Sequence, residues 1–256
     1  MRFGFTTVTF RKKSPEEIIA LAKTAGAEGV EWGGDVHVPP GDTALARSIR
    51  EACDRNGLEI FSYGSYLRGL PGEDYEAVLE TAQLLGAPMI RLWAGNMAPD
   101  KAGGHLDEIA GNLKKIAAAA DEYGIRLGLE YHRGTLTQTK ESALALLDAA
   151  GAENLLCYWQ PNPQLDFEEH LREIRAIGPR LANLHVFNWR HSWGRDLRLP
   201  LGAAKKQWGE YIRTAAENAR PYLILEFVKG DSVKNFYADM QILKELAGKG
   251  ADNEAG

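Results

Sequence analysis

Short apolar runs with strand character recur about every thirty residues along the chain, and each leads into a helical pattern with its own start signal. The first run, Arg2 to Phe10, is followed by Ser14-Pro15-Glu16-Glu17, which supplies an N-cap, a proline at the first helical position and two acids in the first turn. Strand-like runs then fall at Gly29–Trp32, Leu58–Tyr63, Pro88–Trp93, Ile125–Gly134, Asn154–Trp159, Leu181–Asn188 and Tyr222–Val228. Between them lie helices opened by Asp42, Asp74, the Gly103-Gly104 loop, Lys140 and Asp166, then Lys205–Ala219 after a long polar loop, Trp189 to Gly202; a last helix runs from Asp231 to Leu246. Eight strand-then-helix units in 256 residues predict a closed (β/α)8 TIM barrel, α/β in class, as a single domain over residues 1–256 with a frayed tail from about 248. The rival is an open doubly wound sheet, which alternates strand and helix in the same way. Against it, TTVTFRKKS stands after the first strand where a glycine-rich phosphate fingerprint would be needed.

Composition narrows the function classes. A formal net charge of −5 argues against nucleic acid held by a broad basic surface. No apolar run approaches the ~20 residues of a membrane span. The start, MRFGFTTVTF, enters a strand without a signal-peptide layout. The two cysteines, Cys53 and Cys157, indicate neither a disulfide framework nor a cysteine-based zinc site, so a reducing cytoplasm is the expected location. A homo-oligomer is compatible with all of this.

In a barrel, the carboxyl ends of the strands share one mouth. Three of the apolar runs turn polar there: LGLEYHRG delivers Glu130 and His132, two apart and so on one face, LANLHVFN delivers His185, and YLILEFV delivers Glu226. Glu130, His185 and Glu226 offer two oxygens and one imidazole nitrogen, a set suited to Mn, Mg, Co or Zn rather than to copper or an iron–sulfur cluster. Two carboxylates alone in one mouth would repel, and a divalent cation removes that difficulty. Trp32, Tyr63, Trp93 and Trp159 offer flat faces for the C–H side of a sugar. Arg91, His132, Arg190 and His191 offer donors to hydroxyls or a carboxylate.

These residues resemble the sugar phosphate isomerase/epimerase family of xylose isomerase-like TIM barrels, which includes ketose 3-epimerases and inosose dehydratases. LGLEYH resembles the family's Leu-x-Leu-Glu-x-His, NLHVFNW its His-hydrophobic-x-Asp, LPLGAAKKQWGEYI its Leu-Gly-x-Gly loop and following helix, and LILEF its final ligand glutamate. The resemblance implies one divalent metal held by Glu130, His185 and Glu226, with Glu130 and Glu226 exchanging a proton next to a ketone, so that a sugar or polyol is isomerised or epimerised. Strand six departs from the pattern: CYWQPNP replaces the usual Asp ligand, so Trp159 or Gln160 occupies that position, and Gln160 could offer its amide oxygen. Asn188 stands where an Asp is common, and Ala203-Ala204 replaces a glycine and an acid. Two alternatives follow: a lyase or dehydratase on a keto sugar or keto-cyclitol, and a sugar-binding barrel that has lost its metal.

Overall fold

A computed structural model describes residues 1–251 of the chain. Eight parallel strands close into a barrel: β1 (Phe3–Thr6), β2 (Gly29–Gly33), β3 (Glu59–Gly64), β4 (Met89–Leu92), β5 (Arg126–Glu130), β6 (Leu155–Trp159), β7 (Leu181–Val186) and β10 (Tyr222–Leu225), with β10 pairing back onto β1. Helices α1 (Pro15–Ala25), α2 (Thr43–Arg55), α3 (Tyr75–Leu85), α4 (His105–Asp121), α5 (Lys140–Ala150), α6 (Phe167–Ile177), α7 (Lys205–Ala216) and α8 (Val233–Ala251) follow the strands in turn. Helix α8 continues past the expected stop at Leu246, and residues 252–256 of the tail expected to fray lie outside the described residues. None of the described helices is long and apolar enough to cross a membrane.

The start signals act as the sequence indicated. Ser14 accepts from the Glu17 backbone N–H while the Glu17 side chain accepts from the Ser14 backbone N–H, a reciprocal capping box. Asp42, Asp74 and Asp166 accept from the third helical N–H of α2, α3 and α6, and Thr139, not marked as a cap from the sequence, does the same for α5. Each such cap stabilises its helix by ~1 kcal/mol. The first strand run is shorter than expected, because Thr7–Phe10 turns into a 3-10 segment.

The region Trp189–Gly202, expected as loop, contains a β-hairpin. Strands β8 (Trp189–Ser192) and β9 (Arg195–Arg198) pair antiparallel outside the barrel. Trp193 takes a positive φ of 53° and Gly194 one of 71° at its tip. Two consecutive left-handed residues are what a tight hairpin turn requires.

Two layers fill the barrel. The lower one is apolar, built from Phe61, Met89, Tyr158 and Ile224. Tyr158 occupies the space that a side chain at position 128 would need: a Cβ there would lie 2.4 Å from its ring, so glycine is required. Above this layer the interior turns polar. Outside, the helices cover the other strand face with the main apolar core.

Alternation along each strand decides which face a side chain takes. On β6, Tyr158 is inside and Trp159 therefore faces α6, where its Nε1 donates to Glu173 at 2.9 Å. Burial pushes the Glu173 carboxyl up from 4.5 to about 7, with the Trp159 bond opposing it. Below 4.5 both folded and unfolded chains carry this proton. As the pH rises through about 7 the folded chain loses it too, and the stabilisation present at low pH disappears. The difference amounts to about 3 kcal/mol. Glu173→Gln should therefore be more stable than the parent above neutrality, by up to that amount, and equal to it in acid. Urea unfolding at several pH values checks this.

Candidate metal centre

The polar layer is assembled from five strands. Glu31 on β2, Arg91 on β4, Glu130 at the end of β5, His185 on β7 and Glu226 just past β10 are all buried. Ligand-type atoms of Glu130, His185 and Glu226 lie within 4.8 Å of one another. His185 Nδ1 is 3.6 Å from Glu130 Oε1 and 3.7 Å from Glu226 Oε2; its Nε2 is 3.3 Å from Glu31 Oε1.

Glu130 is held by three donors. Arg91 Nη1 and Trp93 Nε1 both donate to its Oε2, the latter at 2.6 Å, and Gln160 Nε2 donates to its Oε1 at 3.1 Å. Arg91 also donates from Nε to Glu31 at 3.1 Å, and Ser62 donates to the other Glu31 oxygen at 2.9 Å. Among the described residues, no side chain donates a hydrogen bond to Glu226. The chain leaves this residue through Phe227, a non-glycine residue at φ 48°, whose N–H donates to Thr9 Oγ1.

Charge follows from these contacts. Burial raises the Glu31 carboxyl, but Arg91 and His185 outweigh it and hold the group down at about 2. Burial raises Glu130 as well, and Arg91 and His185 hold it well below the ordinary carboxylate range. For His185, burial is outweighed by Glu226, Glu31 and Glu130, which raise it to about 10. Burial, reinforced by Glu130 and Glu31 against the pull of His185, lifts Glu226 to about 7. In the metal-free chain His185 carries a proton; with that proton given up to a cation and Glu226 ionised, Glu31, Glu130 and Glu226 against Arg91 would leave two negative charges. A single divalent cation balances them.

Three buried atoms support that fit. Both His185 nitrogens and Gln160 Oε1 have no hydrogen-bond partner. A buried polar atom left without a partner costs about 1–3 kcal/mol. Gln160 spends its Nε2 on Glu130 and on the Tyr131 carbonyl at 2.7 Å, which leaves its oxygen free as a donor to a cation. Of the two strand-six candidates, Gln160 is the one beside Glu130, since Trp159 faces α6.

The layer floors a cleft of about 180 Å3. That is below the ~300–1,000 Å3 of pockets for drug-sized ligands and suits a small molecule. Trp93 and His132 stack along its wall, ring centroids 4.7 Å apart, and His132 Nδ1 donates to the Arg133 carbonyl at 2.7 Å. Arg91 lines the cleft, but it is engaged by Glu31 and Glu130 and not left to meet a substrate.

Besides Trp159, which faces α6, three more expected substrate contacts lie elsewhere. Trp32 and Tyr63 are register partners on β2 and β3, both fully buried in the core under the helices; the Tyr63 hydroxyl donates to Val38 O at 2.7 Å. Alternation is the reason, since the neighbouring pair Glu31 and Ser62 is the one in the polar layer. Arg190 pairs with Leu197 on the outer face of the hairpin and borders a neighbouring cleft against α6 and α7. The opposite hairpin face carries Trp189, which lines the site cleft, and His191 and Asp196, bonded to each other at 2.8 Å, with Asp196 also taken by Arg133. Asn188 donates to Pro200 O at 2.8 Å and braces the hairpin base. Glu31 in the polar layer, and Tyr66 and Trp189 on the cleft wall, were not assigned from the sequence. Glu31 carried a usable signal, an acid ending an apolar strand run.

Residues 19–246 match the sequence profile of the family described as xylose isomerase-like TIM barrel. None of the curated proteins compared matches the chain. Among solved structures, the probable 3-DHS dehydratase AsbF from Bacillus anthracis superposes with a TM-score of 0.80 at 20% identity, over 95% of this chain and 99% of that one. A D-tagatose 3-epimerase-like protein does so with a TM-score of 0.74 at 20% identity over the whole of both chains. The IOLI protein, solved with a zinc atom, gives 0.73 at 12% identity over 97% of this chain and 99% of that one.

Proposed function

The chain belongs to the xylose isomerase-like TIM barrel family, and on that footing we propose that it is a divalent-metal-dependent isomerase or epimerase of a small ketose or related polyol. The observation that carries this reading is the convergence of Glu130, His185 and Glu226 within 4.8 Å, around imidazole nitrogens that have no hydrogen-bond partner. A cation bound by these three residues, with Gln160 Oε1 as a fourth donor, would supply Lewis acidity toward a substrate carbonyl and stabilise the negative charge that develops there.

The side chains divide the remaining work. Glu130, fixed by Arg91, Trp93 and Gln160, has a single orientation. Glu226 has no such tether and is the freer of the two to accept a proton from the carbon next to the ketone; the two carboxylates together act as acid and base. Trp93 and Trp189 present flat faces to the C–H side of the substrate, and His132, Gln138 and Asn162 present polar groups to its hydroxyls.

Elimination of water is the second reading, favoured by His132. Because Nδ1 of that ring donates to a carbonyl, its Nε2 is free to handle another proton. A departing hydroxyl needs such a group, whereas epimerisation does not. The likeness to the probable 3-DHS dehydratase supports the same reading.

The test uses protein stripped by chelator and reloaded separately with Mn, Mg, Co or Zn, then incubated with a panel of keto sugars and keto-cyclitols. Epimer or aldose products support the first reading. An ultraviolet-absorbing enone supports the second. Failure to bind any of the four ions would leave a sugar-binding barrel.

A further inference from the structure

Glu31 has no place in the ligand set, yet it is completely buried beside it. A carboxylate in that position would be a liability unless it were fully engaged. Its surroundings engage it on every side. Oε2 accepts from Ser62 on β3 at 2.9 Å, and Oε1 accepts from Arg91 Nε on β4 at 3.1 Å. The same Oε1 is 3.3 Å from His185 Nε2 on β7, an ion-pair contact rather than a hydrogen bond in the metal-free chain. The two ring nitrogens of His185 thus face different partners: Nδ1 looks toward Glu130 and Glu226, and Nε2 toward Glu31.

We infer that Glu31 is a positioning residue for the metal centre: it holds the proton of His185 on Nε2 and so presents the Nδ1 lone pair to the point shared by Glu130 and Glu226. The inference rests on the metal-centre reading above and adds a residue that binds neither metal nor substrate. An imidazole can bind a cation through either nitrogen, and the hydrogen bond made by the other nitrogen decides which. Here the choice is built into the barrel. Ser62 and Arg91 fix the Glu31 carboxylate from two neighbouring strands, and Glu31 fixes the ring. Arg91 closes the loop by donating to Glu130, so one network orients an imidazole and a carboxylate ligand together. The partner of Glu31 across β2 and β3 is Ser62, next to a register shift between Val30 and Glu31. That irregularity places a hydroxyl opposite the carboxylate.

The test measures binding of zinc and manganese to parent, Glu31→Gln and Ser62→Ala proteins by calorimetry, and records 15N histidine spectra of the zinc-loaded parent. Loss of such a supporting carboxylate weakens metal binding by about 10–100-fold. Glu31→Gln should show that loss for both ions, and Ser62→Ala a smaller one. In the zinc-loaded parent, His185 should carry its proton on Nε2 with the ion on Nδ1. A role in stability alone would lower the unfolding midpoint without changing metal affinity.

Binding by Glu31→Gln within threefold of the parent, or an ion on Nε2 of His185 in the parent, overturns the inference while leaving the metal centre standing. A parent that binds neither ion overturns both. If Glu31→Gln does not fold, the parent spectrum and Ser62→Ala decide the matter by themselves.

Discussion

Glu226→Gln should abolish measurable turnover while the barrel still folds. Loss of a positioned acid–base group costs on the order of 10²–10⁴-fold in rate, and here the same substitution removes a charged donor to the cation. The change is nearly isosteric, so the cleft keeps its shape. Glu226 is buried beside Glu130 and Glu31, and no side chain among those described donates a hydrogen bond to it. Removing its charge relieves a like-charge contact in the metal-free protein. The metal-free variant should therefore unfold at a denaturant concentration no lower than the parent above neutral pH. The pairing of these outcomes is the discriminating result: near-zero kcat with undiminished stability. Turnover at the parental rate would remove the proposed mechanism, and loss of the fold would mean that the carboxylate has a structural part the contacts do not show.

How much of this was legible in advance depends on what kind of signal each residue carried. The barrel was legible because every unit announced itself twice, by an apolar run and by a helix cap, as with Ser14 and Glu17. Glu130, His185 and Glu226 were legible because each ends such a run with a side chain that an apolar interior would reject. The same rule applies to Glu31, which was not assigned, and to Arg91, which was expected to meet substrate, but it cannot tell a ligand from a residue that holds one. That distinction lies in distances between strands far apart in sequence, such as the 3.1 Å between Arg91 and Glu31. Trp32, Tyr63 and Trp159 show the opposite error. Each stands next to an inward polar residue, and the period of two sends it to the helices. The hairpin at Trp189 was illegible for a local reason: its strands are four residues long and charged, and its turn places Trp193, not asparagine or glycine, in the left-handed region.

Arg91→Met should be the most destabilising single substitution in the site. Arg91 is 3% exposed and serves two buried carboxylates at once, Glu31 through Nε and Glu130 through Nη1. Breaking a buried pair by removing one partner costs about 3–5 kcal/mol, because the remaining charge is left without compensation. Two carboxylates would be stranded here. Their protonation sets the pH window. In the parent, Arg91 holds Glu31 at about 2 against an ordinary 4.5, so its contribution is present above 4.5 and lost as the pH falls through about 2. Without Arg91, protonating the carboxylates relieves the folded variant, and its deficit should be largest at neutral pH and shrink on acidification toward pH ~4. Saturating divalent cation should recover part of the loss, since it binds only the folded chain. Arg91→Lys should fall between the two, because a single ammonium cannot span Glu31 and Glu130 as the planar guanidinium does. Urea unfolding of the three proteins at neutral and acidic pH, with and without manganese, reads all of this. A deficit below about 1 kcal/mol, or one that does not change with pH, would mean that Glu31 and Glu130 do not depend on Arg91 for their charge.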